Sequence, residues 1–269
     1  MQQARTSMRR ARQLAETGIA VAAHPLIKAG DPLLRSSVSG IESYEARLTT
    51  EECRLNLNSL LTAERLPLLE RVFMSWGLSL VDAQDIAATF MDWTDADDLK
   101  RRPGSAEKLD YQHEGFPLNR PFSSLEEVNL VARVEELNAA RPDWRTWFTL
   151  RGNGQLDVNT ASAEIIAAAT GATMGNALQL VSSRNGPDGV PQTKDDALLQ
   201  SLEAVTALLG VTGSDIANLL TLQGPTRHVE SIGRAGDSRC GIALVLNLKG
   251  GVPRMVEWSE FPVKGAGWQ

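Results

Sequence analysis

No stretch of the sequence reaches the roughly 20 apolar residues that a bilayer-crossing helix needs. The apolar segment Thr17 to Ile27 is short and is broken by His24 and Pro25. Arg9-Arg10 is not followed by the long apolar region and small-residue cleavage site of an export signal. The chain as it stands is therefore expected to be soluble. Cysteine is scarce: Cys53 and Cys240 are the only two, too few for a disulfide scaffold or a structural zinc site. The three histidines, His24, His113 and His228, sit in no motif, and no P-loop, dinucleotide fingerprint or zinc signature is present. An excess of positive charge is missing too. Against 33 acidic residues there are 27 basic ones, for a net charge of −6 and a pI of about 5.2. Phosphate-binding surfaces are usually basic, so nucleic acid is not an expected partner.

What is present is an ordinary globular composition, 42% hydrophobic and 22% charged over 269 residues, enough to bury a sizeable core. Residues 3–29 read as one helix. Ala4, Met8, Ala11, Ala15, Ile19, Ala22 and Leu26 recur at spacings of three and four, with Arg5, Arg9, Arg12 and Glu16 opposite. The stripe is mostly alanine, which implies a close neighbouring surface. Gly30-Asp31-Pro32 ends it. Residues 41–57 alternate apolar and polar side chains, the period of a half-buried strand. From 58 to 222 the pattern is helical, with helices expected at Leu60–Trp76, Val81–Trp93, Ser124–Asn138, from Thr160, and at Asn176–Arg184, Asp195–Leu209 and Ser214–Leu222. Strands return at Arg227–Arg234, Gly241–Leu248 and Pro253–Phe261, the last two joined by a turn at Lys249-Gly250-Gly251. A sheet needs several strands, so the early and late strands are expected to pair. The fold class is α+β: one discontinuous β domain (residues 1–57 and 225–269) carrying a large inserted all-helical domain (58–224).

A faint repeat lies inside the helical block. Leu55-Asn56-Leu57-Asn58-Ser59 parallels Leu156-Asp157-Val158-Asn159-Thr160, each followed by helix, turn and helix. Further segments run in order: Met91-Asp92-Trp93-Thr94-Asp95-Ala96-Asp97-Asp98, Gly104-Ser105-Ala106-Glu107 with Tyr111, Pro117-Leu118-Asn119-Arg120-Pro121-Phe122-Ser123-Ser124-Leu125-Glu126-Glu127, and Ala243-Leu244-Val245-Leu246 before Trp258. Together these resemble the K-type minor pseudopilins of type II secretion over roughly residues 40–262. The resemblance implies a pilin-like N-terminal helix on a small antiparallel sheet, with the helical domain inserted into that sheet. It implies a structural role at the pseudopilus tip with I- and J-type minor pseudopilins, and no enzymatic activity. It places the protein in the periplasm, anchored in the inner membrane by an N-terminal segment that this sequence does not contain. Met8, Ala11, Ala15, Ile19 and Ala22 would face neighbouring pseudopilin helices and the chain's own sheet.

Candidate sites follow from residue chemistry. The loop Asn185 to Asp196 holds two glycines and the carboxylates Asp188, Asp195 and Asp196, oxygen donors of the kind calcium takes. Some members of the family bind calcium in the helical domain. The other reading is a solvated turn whose acids favour the next helix's N-terminus. Asp92, Asp95 and Asp97, with Asp98, form a second acidic run open to the same two readings. Cys53 and Cys240 both fall in expected strands, as one bridge across the split sheet or as two buried thiols. Gly236-Asp237-Ser238 is similar to a serine-protease nucleophile segment, but between two strands it reads as a turn. The alternative function is a nucleic-acid-binding or uptake protein of the helix-hairpin-helix type, since Val158 to Gly171 resembles the start of such a hairpin. Its turn, Thr170-Gly171-Ala172-Thr173, lacks the usual second glycine. Residues 151–210 hold only Arg151, Arg184 and Lys194 against six acids, which repels phosphate.

Overall fold

In a computed structural model of the chain, residues 2–191, 193, 195–250 and 253–263 are described, with side chains from Ala4 onward. The chain divides into two compact units, Met1–Glu51 with Ser182–Leu198 and Gly224–Gln269, and Glu52–Val181 with Leu199–Gln223. The expected insertion of residues 58–224 is thus interrupted, because Ser182–Leu198 groups with the sheet unit.

The described strands are β1 (Arg35–Ser39), β2 (Glu42–Thr50), β3 (Leu55–Asn56), β4 (Phe148–Thr149), β5 (Leu156–Asp157), β6 (Leu220–Thr221), β7 (Thr226–Ala235), β8 (Ser238–Asn247) and β9 (Arg254–Phe261). The sheet unit contains a five-stranded antiparallel sheet in the order β1-β2-β7-β8-β9. Early and late strands pair directly, Glu42 with Ala235 through to Thr50 with Arg227. Strand β1 carries Arg-Ser-Ser-Val-Ser, with no apolar alternation, and is mostly exposed, so nothing in its pattern marks it as a strand.

Helix α1 (Gln2–Ala23) covers this sheet. It stops six residues before the expected end, because Pro25 removes an N–H and disfavours helical geometry at His24. Ala11, Leu14, Ala15, Ile19 and Ala22 pack with Tyr44, Ala46, Leu48, Val229, Ile242, Leu244 and Leu246, alternate residues of β2, β7 and β8. Small side chains set the spacing. Gly233 lies directly beneath the backbone of Ala11 and Ala15, and Gly18 lies directly over Ser231 and Tyr44. The Gly250 side of the β8–β9 turn is described, whereas Gly251 lies outside the described residues.

The remaining helices are α2 (Leu57–Leu60), α3 (Leu66–Ser75), α4 (Leu80–Asp92), α5 (Val134–Ala140), α6 (Ala163–Thr170), α7 (Met174–Arg184), α8 (Leu202–Leu209) and α9 (Ser214–Leu219). Three expected helices are shorter or split. Leu60–Trp76 breaks between α2 and α3, where Thr62 accepts from Arg65 and Leu66, and Pro67 opens the new helix. Ser124–Asn138 breaks at Arg133, whose φ of 66° is left-handed. Asp195–Leu209 begins only at Leu202, capped by Ser201. The helical unit closes on an apolar core with Trp93, Trp144, Phe73, Phe90 and Phe148 fully buried.

The sequence repeat has a physical counterpart. Asn58 donates to the Phe122 carbonyl at 3.0 Å and accepts the Phe122 N–H at 2.9 Å. Asn159, at the matching position, holds the Leu199 backbone in the same two-bonded way, at 3.1 and 2.8 Å. Each amide satisfies a peptide group, buried at Phe122 and half-buried at Leu199, that no regular element reaches. Each also follows a short parallel pair, β3 with β4 and β5 with β6.

Candidate functional site

The N-terminal stripe faces inward. Ala11, Ala15 and Ala22 are 0% exposed and Ile19 is buried with them against the chain's own sheet. These four are turned away from any neighbouring helix, and of the five only Met8, 49% exposed, is open to solvent. The edge of the sheet unit also carries exposed apolar surface. Strand β9 is open along nearly its whole length, with Met255, Val256 and Trp258 exposed.

No bridge joins Cys53 and Cys240. Cys53 sits in the 3-10 turn after β2, not in a strand. Thr50 is in register with Arg227, and Cys240 with Gly233, six residues further along β7. At about 3.3 Å per residue those points are roughly 20 Å apart. The three residues from Thr50 to Cys53 reach only about 11 Å, whereas a disulfide needs Cα atoms within about 7 Å. Burial pushes the Cys240 thiol up, which makes it inert.

The loop carboxylates of the first calcium candidate are used locally. Asp195 Oδ2 accepts the Asp188 N–H, Asp188 Oδ1 accepts the Val190 N–H, and Thr193 donates to Asp195 and Asp196. These bonds pin a turn, and the Thr193 and Asp188 donors hold the Asp195 carboxyl low. Gln192 and Lys194 of this loop lie outside the described residues.

The second run is different. Asp92 ends α4 with its side chain fully buried. Its Oδ2 accepts from Ser105 Oγ at 2.5 Å and from the Arg101 N–H at 3.2 Å. Asp95 accepts from Arg101 Nη2 at 2.7 Å. Glu107, 2% exposed, caps the following turn through the Lys108 N–H. One oxygen of each carboxylate, Asp92 Oδ1, Asp95 Oδ1 and Glu107 Oε1, is buried without a hydrogen-bond donor. Burial raises all three carboxyls above their ordinary range, and repulsion adds to it, from Asp95 on Asp92, from Asp97 on Asp95, and from Asp92, Asp95 and Asp98 on Glu107. Asp97 does not belong to the group: it is exposed and accepts only the local Leu99 N–H. Glu107 takes its place. Its sequence signal was faint, a single acid after Gly104-Ser105-Ala106. Among the described residues no set of three or more His, Cys, Asp or Glu side chains is already arranged as metal ligands. The orphaned oxygens nevertheless mark where a proton or a cation is favoured.

Next to this cluster Trp93 anchors the unit. Its indole N–H donates to Glu127 Oε1 at 3.0 Å. Burial would raise the Glu127 carboxyl, but bonds from Trp93, Ser123 and Arg120 outweigh it and hold the group low. Tyr111, packed on Trp93 at 5.4 Å between ring centres, is pushed up to about 12 by burial.

Residues 53–142, which contain this whole arrangement, match the family described as type II secretion system protein K. The match takes in 90 of the chain's 269 residues, a third of its length, and it is this segment that is similar to protein K. The fold extends the likeness. A chain in the crystal structure of the GspK-GspI-GspJ complex from the enterotoxigenic Escherichia coli type 2 secretion system superposes with a TM-score of 0.67 at 14% identity, covering 97% of each chain. No curated protein matches the sequence. The two protein K landmarks quoted from the sequence, around Trp93 and around Phe122, thus meet in one place: Trp93 and Phe122 stack at 6.4 Å, 7° from parallel. Ser238 of the protease-like triplet begins β8, and Gly236-Asp237 is the β7–β8 turn. No helix among the described residues is long and apolar enough to cross a membrane.

Proposed function

We propose that the chain is a K-type minor pseudopilin of the type II secretion pseudopilus tip, working with I- and J-type minor pseudopilins in the periplasm, with a structural and not an enzymatic role. One observation carries this reading. A complete helical unit bearing the protein K segment is inserted between β2 and β7, two hydrogen-bonded neighbours of a helix-backed sheet. Such a body presents a pilin-like sheet for assembly and a bulky helical unit that ordinary subunits lack. The exposed apolar edge β9 needs a cover, since an open edge strand invites pairing. In the reading proposed here a partner pseudopilin provides it. The test is co-purification with the soluble parts of the I- and J-type pseudopilins. A stoichiometric ternary complex is expected, and Trp258→Asp should cut its recovery tenfold or more. Folded partners that do not associate with the chain would reject the tip-complex reading.

Calcium is the cofactor proposed with it, held by Asp92, Asp95 and Glu107. Bound there, the ion would meet three buried carboxylate oxygens that have no hydrogen-bond donor, beside Arg101, whose Nε lies 3.4 Å from Asp92 Oδ1. The pH dependence follows from the raised carboxyls. A folded-state carboxyl with a raised value takes up its proton first as pH falls, so stability increases from neutral pH down toward the ordinary carboxylate range. Calcium at a hundredfold excess over Kd should add about 2.7 kcal/mol. Thermal melts with calcium, and with a chelator, read both effects. Asp92→Asn should abolish the calcium shift and flatten the acid-side gain. The same acid-side gain with no calcium shift would assign the cluster to protons and end the calcium proposal.

A further inference from the structure

The chain is acidic as a whole, yet one end of the sheet unit is not. Gly18 lies over Ser231, and Ala11 and Ala15 lie over Gly233, so the first turns of α1 run toward Ala235 and the β7–β8 turn. Arg10 pairs with Glu42, in register with Ala235. The Gly236 N–H donates to the Ile41 carbonyl at 2.8 Å. The start of α1, the β1–β2 turn and the β7–β8 turn therefore meet at one end. Arg5, Arg9, Arg10, Arg234 and Arg239 gather there, with Glu42 and Asp237 as the acids of these segments.

Two of these arginines sit where the structure disfavours them. Arg234 and Arg239 are direct cross-strand partners, and like charges in that position destabilise a sheet. Glu42 answers Arg10, and further along Glu16 and Glu260 answer Arg12. No ion pair holds Arg5, Arg9 or Arg239 among the described residues. The same end exposes Ile41 at its turn, 65% open, and Met8, 49% open. Cations ringed around exposed apolar side chains match an anionic interface, where phosphates meet the charges and the apolar groups enter the boundary layer.

We propose that this end of the sheet unit docks on an anionic lipid surface, its arginines on headgroup phosphates and Ile41 and Met8 in the interfacial layer. The inference goes beyond the tip-complex reading and its test needs no pseudopilin partner. The full chain is sedimented with vesicles of phosphatidylcholine containing 30 mol% phosphatidylglycerol, and with phosphatidylcholine alone. Binding to the anionic vesicles only, weakened by salt, is expected. Each removed arginine should weaken partitioning about fivefold, so Arg5→Gln with Arg9→Gln and Arg239→Gln should cost roughly a hundredfold. Ile41→Ser should weaken it further at unchanged charge. The triple Lys28→Gln, Arg35→Gln, Arg254→Gln, equal in charge but placed elsewhere on the unit, should stay within about twofold of the parent, on the same per-charge scale. An equal loss in that control, or no binding to anionic vesicles, overturns the proposal. So does arginine-dependent retention by a purified pseudopilin partner without vesicle binding, which would assign the end to an acidic protein.

Discussion

Gly233→Val is expected to release α1 from the sheet. The glycine is not there for its backbone, since its φ is one any residue adopts; it is there for space. A Cβ at this position would overlap the Ala11 carbonyl oxygen and the Ala15 amide nitrogen, both main-chain atoms of α1. A flexible side chain could turn aside, but a helix backbone cannot. Overpacking in a close-packed interior costs typically about 1–3 kcal/mol and more where nothing yields, and here nothing can yield short of moving the helix. We expect about 3 kcal/mol, with Gly233→Ala already carrying more than half of it, because the first carbon is the one that collides. Hydrogen exchange over α1 is the direct measure. A loss of about 3 kcal/mol accelerates exchange of its protected amides roughly 150-fold, while amides of the helical unit keep their rates. Unchanged exchange in Gly233→Val would mean that α1 does not lie against this strand.

The second large effect is expected in the other unit. Trp93 is fully buried, touching Tyr111, Phe116 and Phe122. Trp93→Ala should cost about 3–5 kcal/mol, the usual range for deleting a large buried aromatic side chain. Trp93→Phe separates packing from polarity. It keeps a ring against Phe122 but removes the indole donor to Glu127, and a hydrogen bond to a charged acceptor contributes about 1.5–3 kcal/mol. Thermal unfolding followed by near-ultraviolet dichroism, which senses the aromatic cluster, would rank the two variants. Equal losses in both would remove the packing explanation, and a loss under about 1 kcal/mol in Trp93→Ala would remove Trp93 from the core altogether.

Much of the fold was legible because the α1 stripe, the alternation in β2 and β8 and the paired repeats are local periodicities. What escaped had non-local causes. Strand β1 is held by pairing with β2, which leaves no trace in Arg35-Ser36-Ser37-Val38-Ser39. The helix around Ser124–Asn138 looks continuous by composition, yet Arg133 turns left-handed to reach Asp82 and Asp85 as well as Glu136, partners no local pattern discloses. At the candidate site, composition identified an acidic run but not its members. Asp97 and Asp92 are alike in sequence, and only burial separates the solvated turn residue from the orphaned carboxylate. The cysteines read as strand residues because Cys53-Arg54-Leu55 alternates; the chain turns there instead, and the register of β2 on β7 then carries the two thiols apart.

The pairing of Thr50 with Arg227 also orders events during folding. Closing a flexible loop of that length costs on the order of 4–5 kcal/mol from its length alone, and non-local pairing of this kind slows folding. If the helical unit forms first, the ends it returns to the sheet are already neighbours, and β2 meets β7 as though across a hairpin. Defects in the helical core, Trp93→Ala among them, should then slow assembly of the sheet, whereas defects in the sheet should leave the rate of forming the helical unit untouched.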